Sequence, residues 1–172
     1  NMQGPTTDAL DVRELSRLEM EHRRFIWRNV ERLRATPGYE DVYLMETAPQ
    51  LGVRISRLLD GVHQLTYANA TAGTEFPDVV ACGGTHGEAK FDWQIPFGAL
   101  VPRTVDNILA AGRCISAEPK MNEILRLIPI CFVTGHAAGV AAAVSVRDGC
   151  PVRNVEVPKV QKILRDQGAF LG

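Results

Sequence analysis

No stretch of this chain supplies the ~20 apolar residues that a membrane-spanning helix needs. The longest candidate, Ile128 to Val146, is interrupted by Thr134, Gly135, His136 and Gly139 and reads as a buried helix. No cysteine pair has C-x-x-C spacing: Cys82, Cys114, Cys131 and Cys150 stand apart, and His22, His63, His86 and His136 show no ligand spacing. Zinc and other metal sites are therefore excluded from the expectation. The cysteines read instead as small buried hydrophobes in a reducing cytoplasm. Neither charge sign dominates, with 19 Lys and Arg against 20 Asp and Glu and a net charge of −1. Without a basic field, nucleic acid is not expected as the main partner. A Walker A loop, internal repeats and low-complexity segments are all lacking, and no signal peptide is expected from the first residues.

What is present is an ordinary soluble composition, 45% hydrophobic and 23% charged over 172 residues, enough for a real core. Asp8 can cap a first helix running to about Arg34. Leu15, Leu18, His22, Phe25, Ile26, Val30 and Leu33 form its apolar stripe, and Thr36-Pro37-Gly38 stops it. Residues 42–47 and 53–58 read as strands, and Asp60-Gly61 as the turn of a hairpin into 62–65. Thr66 caps a short helix that Gly73 ends, and 79–81 is again extended.

Residues 83–98 are punctuated by glycine and proline, and 95–101 returns to extended structure. Residues 108–111 form a short apolar run of the kind buried in parallel sheets. Pro129 suits the first turn of a helix reaching about Arg147, which Gly149-Cys150-Pro151 ends, and Pro158 starts a last helix. The fold class read from this order is α/β, with mixed α+β character.

Two glycine-bearing segments invite a chemical reading. Val79 to Gly87 resembles a phosphate loop only superficially, because its spacing is wrong and no helix follows. Ala111-Gly112-Arg113-Cys114 follows the apolar run, where a glycine lets backbone approach a ligand closely. The N–H groups near Ile128, Pro129, Ile130 and Cys131 would favour an oxygen bearing partial negative charge. Gly135 and Gly139, with Ala137, Ala138 and 141–143, allow close packing on either a sheet or a cofactor.

Leu51 to Arg57, Phe76-Pro77-Asp78, Ile95-Pro96-Phe97 with Leu100-Val101-Pro102, Asn107 to Ser116, and Arg126 to Gly139 occur in one order. Together they resemble the carboxyl-terminal portion of the FAD-dependent oxidoreductases that have a glutathione-reductase-like FAD domain. The likeness extends over most of residues 8–147.

The resemblance implies two regions: 1–106, an amino-terminal helix with a substrate-capping sheet, and 107–172, the strand–helix portion of an FAD-binding domain. Residues 107–112 would be the last strand of that domain. Ala111, Gly112, Arg113 and Cys114 would pass the ribityl and pyrophosphate part of FAD. Ile128, Pro129, Ile130 and Cys131 would aim a helix start at the flavin pyrimidine edge, and 53–65 would cap the flavin. The strand–G-x-G-x-x-G–helix unit that would hold the diphosphate and adenosine does not occur here.

The expectation is thus a fragment or subunit of a flavoenzyme, inactive alone, transferring hydride between a small organic substrate and FAD. An amino-terminal FAD-binding half or partner chain, in a homo- or hetero-oligomer, would complete it. Arg54 and Arg57 are candidates for an anionic substrate group, or else for salt bridges. His86 is a candidate proton carrier, or else a solvated loop residue. Arg126 would touch flavin or substrate, or pair with Glu118 or Glu123. Cys114 and Cys131 are given no redox role. The alternative is a non-catalytic interaction or structural domain derived from such an enzyme and stabilised by self-association.

Overall fold

A computed structural model describes residues 7–84 and 92–172. The chain divides into two units, residues 1–56 and 57–172. The expected boundary at 106/107 falls inside the second.

The first unit is built on helix α1, Val12–Arg34. Asp11, not Asp8, caps it, its carboxylate accepting from the N–H groups of Arg13 and Glu14 at 2.8 and 3.4 Å. Asp8 instead makes the preceding turn, accepting from Leu10 N–H at 2.9 Å. Leu18 and Val30 of the apolar stripe are buried, whereas Phe25 and Leu33 are exposed. Residues 42–47 are not a strand. Arginines of α1 hold the segment at its two ends instead: Arg34 Nε donates to Val42 O at 2.7 Å, and Arg23 to Ala48 O and Pro49 O at 3.3 and 3.2 Å.

The second unit holds the large core. Thr66 caps α2, Tyr67–Ala72, in a reciprocal box with Asn69, and Gly73 ends it in the left-handed conformation. Strand β1, Val79–Cys82, pairs antiparallel with β2, Gln94–Pro96, with Ala81 opposite Ile95. A 3-10 turn, Phe97–Ala99, then replaces the extended chain expected over 95–101. Asp78 causes it, accepting Phe97 N–H on its carbonyl at 2.8 Å and Gly98 N–H on its carboxylate at 3.0 Å.

The short helix α3, Asn122–Leu125, leads into α4, Ile128–Asp148. Gly149 ends α4 in the left-handed conformation, and α5, Val157–Asp166, follows. Val160 and Leu164 of α5 and Ala137, Ala141 and Val144 of α4 join Val80, Ile95 and Trp93 in one buried cluster. Gln161 of α5 donates to both Pro77 O and Val79 O, at 2.9 and 3.0 Å, beside β1.

The strands expected at 53–58 and 62–65, and with them a capping sheet over 53–65, are not formed. The chain there changes partner at almost every residue. Leu59 N–H donates to Cys114 O, Val62 N–H to Val101 O, His63 N–H to Gly98 O and Leu65 N–H to Ser116 O. Only isolated bridges result, Gly61 with Pro102 and Leu65 with Ala117. A Cβ at Gly61 would lie 2.5 Å from Ser116 Cβ, so only glycine lets these segments cross.

Residues 108–111 are likewise extended without being a strand. Asn107 turns the chain at φ 55°, Ile108 is 53% exposed, and Ala110 N–H alone finds a backbone acceptor, Leu100 O at 2.9 Å. An apolar run of four residues needs a neighbouring strand to become one, and the described residues supply none.

Helix α4 is buried on one face only. Ile130, Thr134, Ala137, Val140, Ala141 and Val144 point inward, while Phe132 and Val146 are 73% and 84% exposed. By length and composition alone it is long and apolar enough to cross a membrane, with 33% of the relevant window buried inside the protein. Cysteine burial is also less complete than expected: Cys114 is exposed and Cys82, Cys131 and Cys150 are half-buried, all with free thiols.

Candidate cofactor site

The segment leaving Pro102 is tied down before it reaches the site. Arg153 Nη2 donates to Pro102 O and Val105 O at 2.9 and 3.0 Å, and its Nε pairs with the Asp106 carboxylate at 2.6 Å. Ala111 is extended, and Gly112 then takes φ +77°, opening a 3-10 turn over Gly112–Cys114. That φ favours glycine because an L side chain would crowd the backbone.

Thr134 fastens this turn to α4. Its Oγ1 accepts the buried Gly112 N–H at 2.9 Å and donates to Ile130 O at 2.6 Å. A Cβ at Gly112 would stand 3.4 Å from Cys131 Sγ, two residues beyond Pro129. The glycine turn and the proline-led helix start therefore do converge. Gly112 N–H is spent on Thr134, so this residue can shape a ligand wall but has no N–H to offer.

The start of α4 is differently disposed. Leu127 is its N-cap and brings no side-chain acceptor. The first helical hydrogen bond runs from Cys131 N–H to Leu127 O at 3.1 Å, and Pro129 has no N–H. The N–H groups of Ile128 and Ile130 are left without an acceptor among the described residues. Together with the helix dipole they favour negative charge in front of the helix. Alongside, a Cβ at Gly135 or Gly139 would meet nothing within 4 Å, so this flank of α4 is open.

These groups fit part of a flavin. Two N–H donors suit a carbonyl-bearing ring edge, and the open flank of α4 suits a flat ring system. They do not form a diphosphate cradle. A cavity of about 590 Å³, bordered by Asn107, Leu109, Ala138, Ala142 and Val146, opens further along the same helix.

The other candidate side chains each have their own surroundings. Arg54 belongs to the first unit and Arg57 to the second; both are exposed and neither forms an ion pair among the described residues. Arg126 closes α3, half-exposed, and pairs with neither Glu118 nor Glu123. Glu118 instead receives Tyr67 N–H at 2.6 Å. His86 lies outside the described residues. Among those residues no group of His, Cys, Asp and Glu could hold a metal ion.

Thr134 is the residue that sequence reasoning missed. Its signal was a hydroxyl four residues after Ile130 within an apolar helix, where it bonds back to the preceding turn.

Cys82 differs from the exposed Cys114. Burial, and secondarily the Asp92 carboxylate, pushes its thiol up to about 11, which keeps it protonated near neutrality.

Known proteins complete the picture. No curated protein and no solved structure matches the chain significantly. The family described as FAD dependent oxidoreductase matches residues 1–164. The likeness is therefore not confined to a carboxyl-terminal portion, as the order of motifs had suggested; it takes in α1 and reaches into α5. With nearly all of its length matched, and with a mixed α/β fold consistent with an FAD-binding type of domain, this chain belongs to the FAD-dependent oxidoreductase family.

Proposed function

We propose that this chain contributes one wall of a flavin site at which hydride passes between a small organic substrate and FAD. The convergence of the Gly112 turn with the start of α4, joined through Thr134, is the observation that supports this reading most. Bound FAD would supply the hydride chemistry itself. The chain's part is binding and electrostatics. Ile128 and Ile130 N–H would face the ring edge where negative charge builds, and fixed donors of this kind need no reorganisation as it develops. Ala111, Arg113 and Cys114 would border the ribityl and phosphate side, with Pro129 and Cys131 closing the wall. Arg126 is assigned to the flavin or substrate edge, and Arg54 and Arg57 to an anionic group on the substrate. His86 is assigned proton transfer.

The adenosine and diphosphate are assigned to a partner chain in a homo- or hetero-oligomer. Free thiols at all four cysteines accord with a reducing cytoplasm.

Ile128→Pro tests the reading with little risk to the fold. Proline suits this first helical position, and the side chain it replaces is 70% exposed. The assembled protein should bind FAD with a perturbed flavin spectrum, and the variant should shift the flavin midpoint potential to more negative values. Absence of flavin binding in every assembled form would refute the proposal. A second reading, a self-associating domain without catalysis, draws on the open apolar flank of α4 at Phe132 and Val146. It requires a stable oligomer by light scattering that never takes up flavin.

A further inference from the structure

The carboxyl-terminal half of α1 is strongly cationic: residues 23–34 contain five arginines and one glutamate. On one side of it, Arg24, Trp27, Arg28 and Glu31 face an open cavity of about 620 Å³ whose far wall is Leu44 and Thr47. Arg23 builds that wall. It is held by Glu19 at 2.7 Å and donates to Thr47 Oγ1, Ala48 O and Pro49 O, pinning the segment to the helix.

Arg24 and Arg28 have no such duty, because neither makes a hydrogen bond or ion pair with any described residue. They stand at i and i+4, where like charges repel and a shared anion relieves the repulsion. Trp27 lies on the same side, 48% exposed, and offers a flat indole face beside two guanidinium forks.

We propose that this groove binds a nucleoside phosphate. Each part of such a ligand finds a matching group. Guanidinium forks accept a phosphate in bidentate geometry. An exposed indole stacks a base. The Glu31 carboxylate, which has no partner among the described residues, accepts from ribose hydroxyls or an exocyclic amine. It also discriminates: a ligand that is anionic throughout, such as an acidic peptide, would set a carboxylate against it. The volume lies within the range of small-ligand sites. No residue of the proposed flavin wall takes part, so the two proposals stand or fall separately.

Fluorescence tests it on the full chain. Of the two tryptophans, Trp93 is buried, at 1% exposure, and donates to Gly84 O, so Trp27 carries the solvent-exposed emission. AMP should quench that emission saturably. In calorimetry the double variant Arg24→Ala/Arg28→Ala should bind AMP about tenfold more weakly or worse. Circular dichroism should show its helix retained, since both side chains are exposed. Inorganic phosphate or hexaglutamate binding as tightly as AMP would overturn the proposal. So would an oligoadenylate binding far more tightly than AMP, or no saturation by millimolar AMP.

Discussion

Gly112→Ala isolates the joint between the turn and α4. Two costs arise from the geometry. The φ of +77° lies where an alanine is disfavoured by about 1–2 kcal/mol. The new methyl would stand 3.4 Å from Cys131 Sγ, at the tight edge of ordinary van der Waals contact. The first cost dominates, because Cys131 is only half-buried and its side chain can give way.

A loss of about 1–2 kcal/mol corresponds to a fall in Tm of about 3–6 °C for a chain of this size. Differential scanning calorimetry reads this directly. Gly112→Ala/Cys131→Ala separates the contributions: removing the sulfur should return the steric part and leave the backbone part. Thr134→Val should cost about 1–3 kcal/mol by stranding the buried Gly112 N–H. Thr134→Ser should keep most of the stability. An unchanged Tm in Gly112→Ala would refute the reasoning, since it would mean that the turn does not hold the conformation described.

Thiol chemistry should be site-selective. With Cys82 pushed up to about 11, only about one molecule in a thousand carries its thiolate at pH 8, so Cys114 should react with a disulfide reagent long before Cys82. Raising this group's pKa on folding gives a stability contribution that is fully present below its ordinary value of 9.0 and lost as pH rises through about 11. Half burial keeps that contribution small; alkaline denaturation of Cys82→Ser against the parent measures it. Asp148 is shifted the other way. Lys159 first, then Arg147, hydrogen-bond its carboxylate and hold it below the ordinary 3.8, so its contribution is present above that value and lost as pH falls. Lys159→Ala should move the Asp148 titration upward, as NMR of the side-chain carboxyl would show.

Helices were far more legible in the sequence than strands. Thr66 with Gly73, Pro129 with Gly149, and Pro158 each carry their boundary in local chemistry, and the structure places helix ends at or next to them. Extended segments carry no such local signature. Residues 42–49 are held by arginine side chains of α1 at Val42, Thr47, Ala48 and Pro49, and 59–65 shares its hydrogen bonds among four separate acceptors. Alternation of apolar residues cannot foresee which partner arrives. The candidate site divides in the same way. Gly112 and Pro129 announce themselves through backbone constraints, whereas Thr134 acts through a side-chain contact across 22 positions.

The carboxamide of Gln161 has a wider consequence. By occupying the carbonyls of Pro77 and Val79, it closes acceptors through which another molecule's strand could zip onto this small sheet. A single amide from a helix thus does the protective work usually left to a cover strand. Association through that margin would first have to peel α5 away.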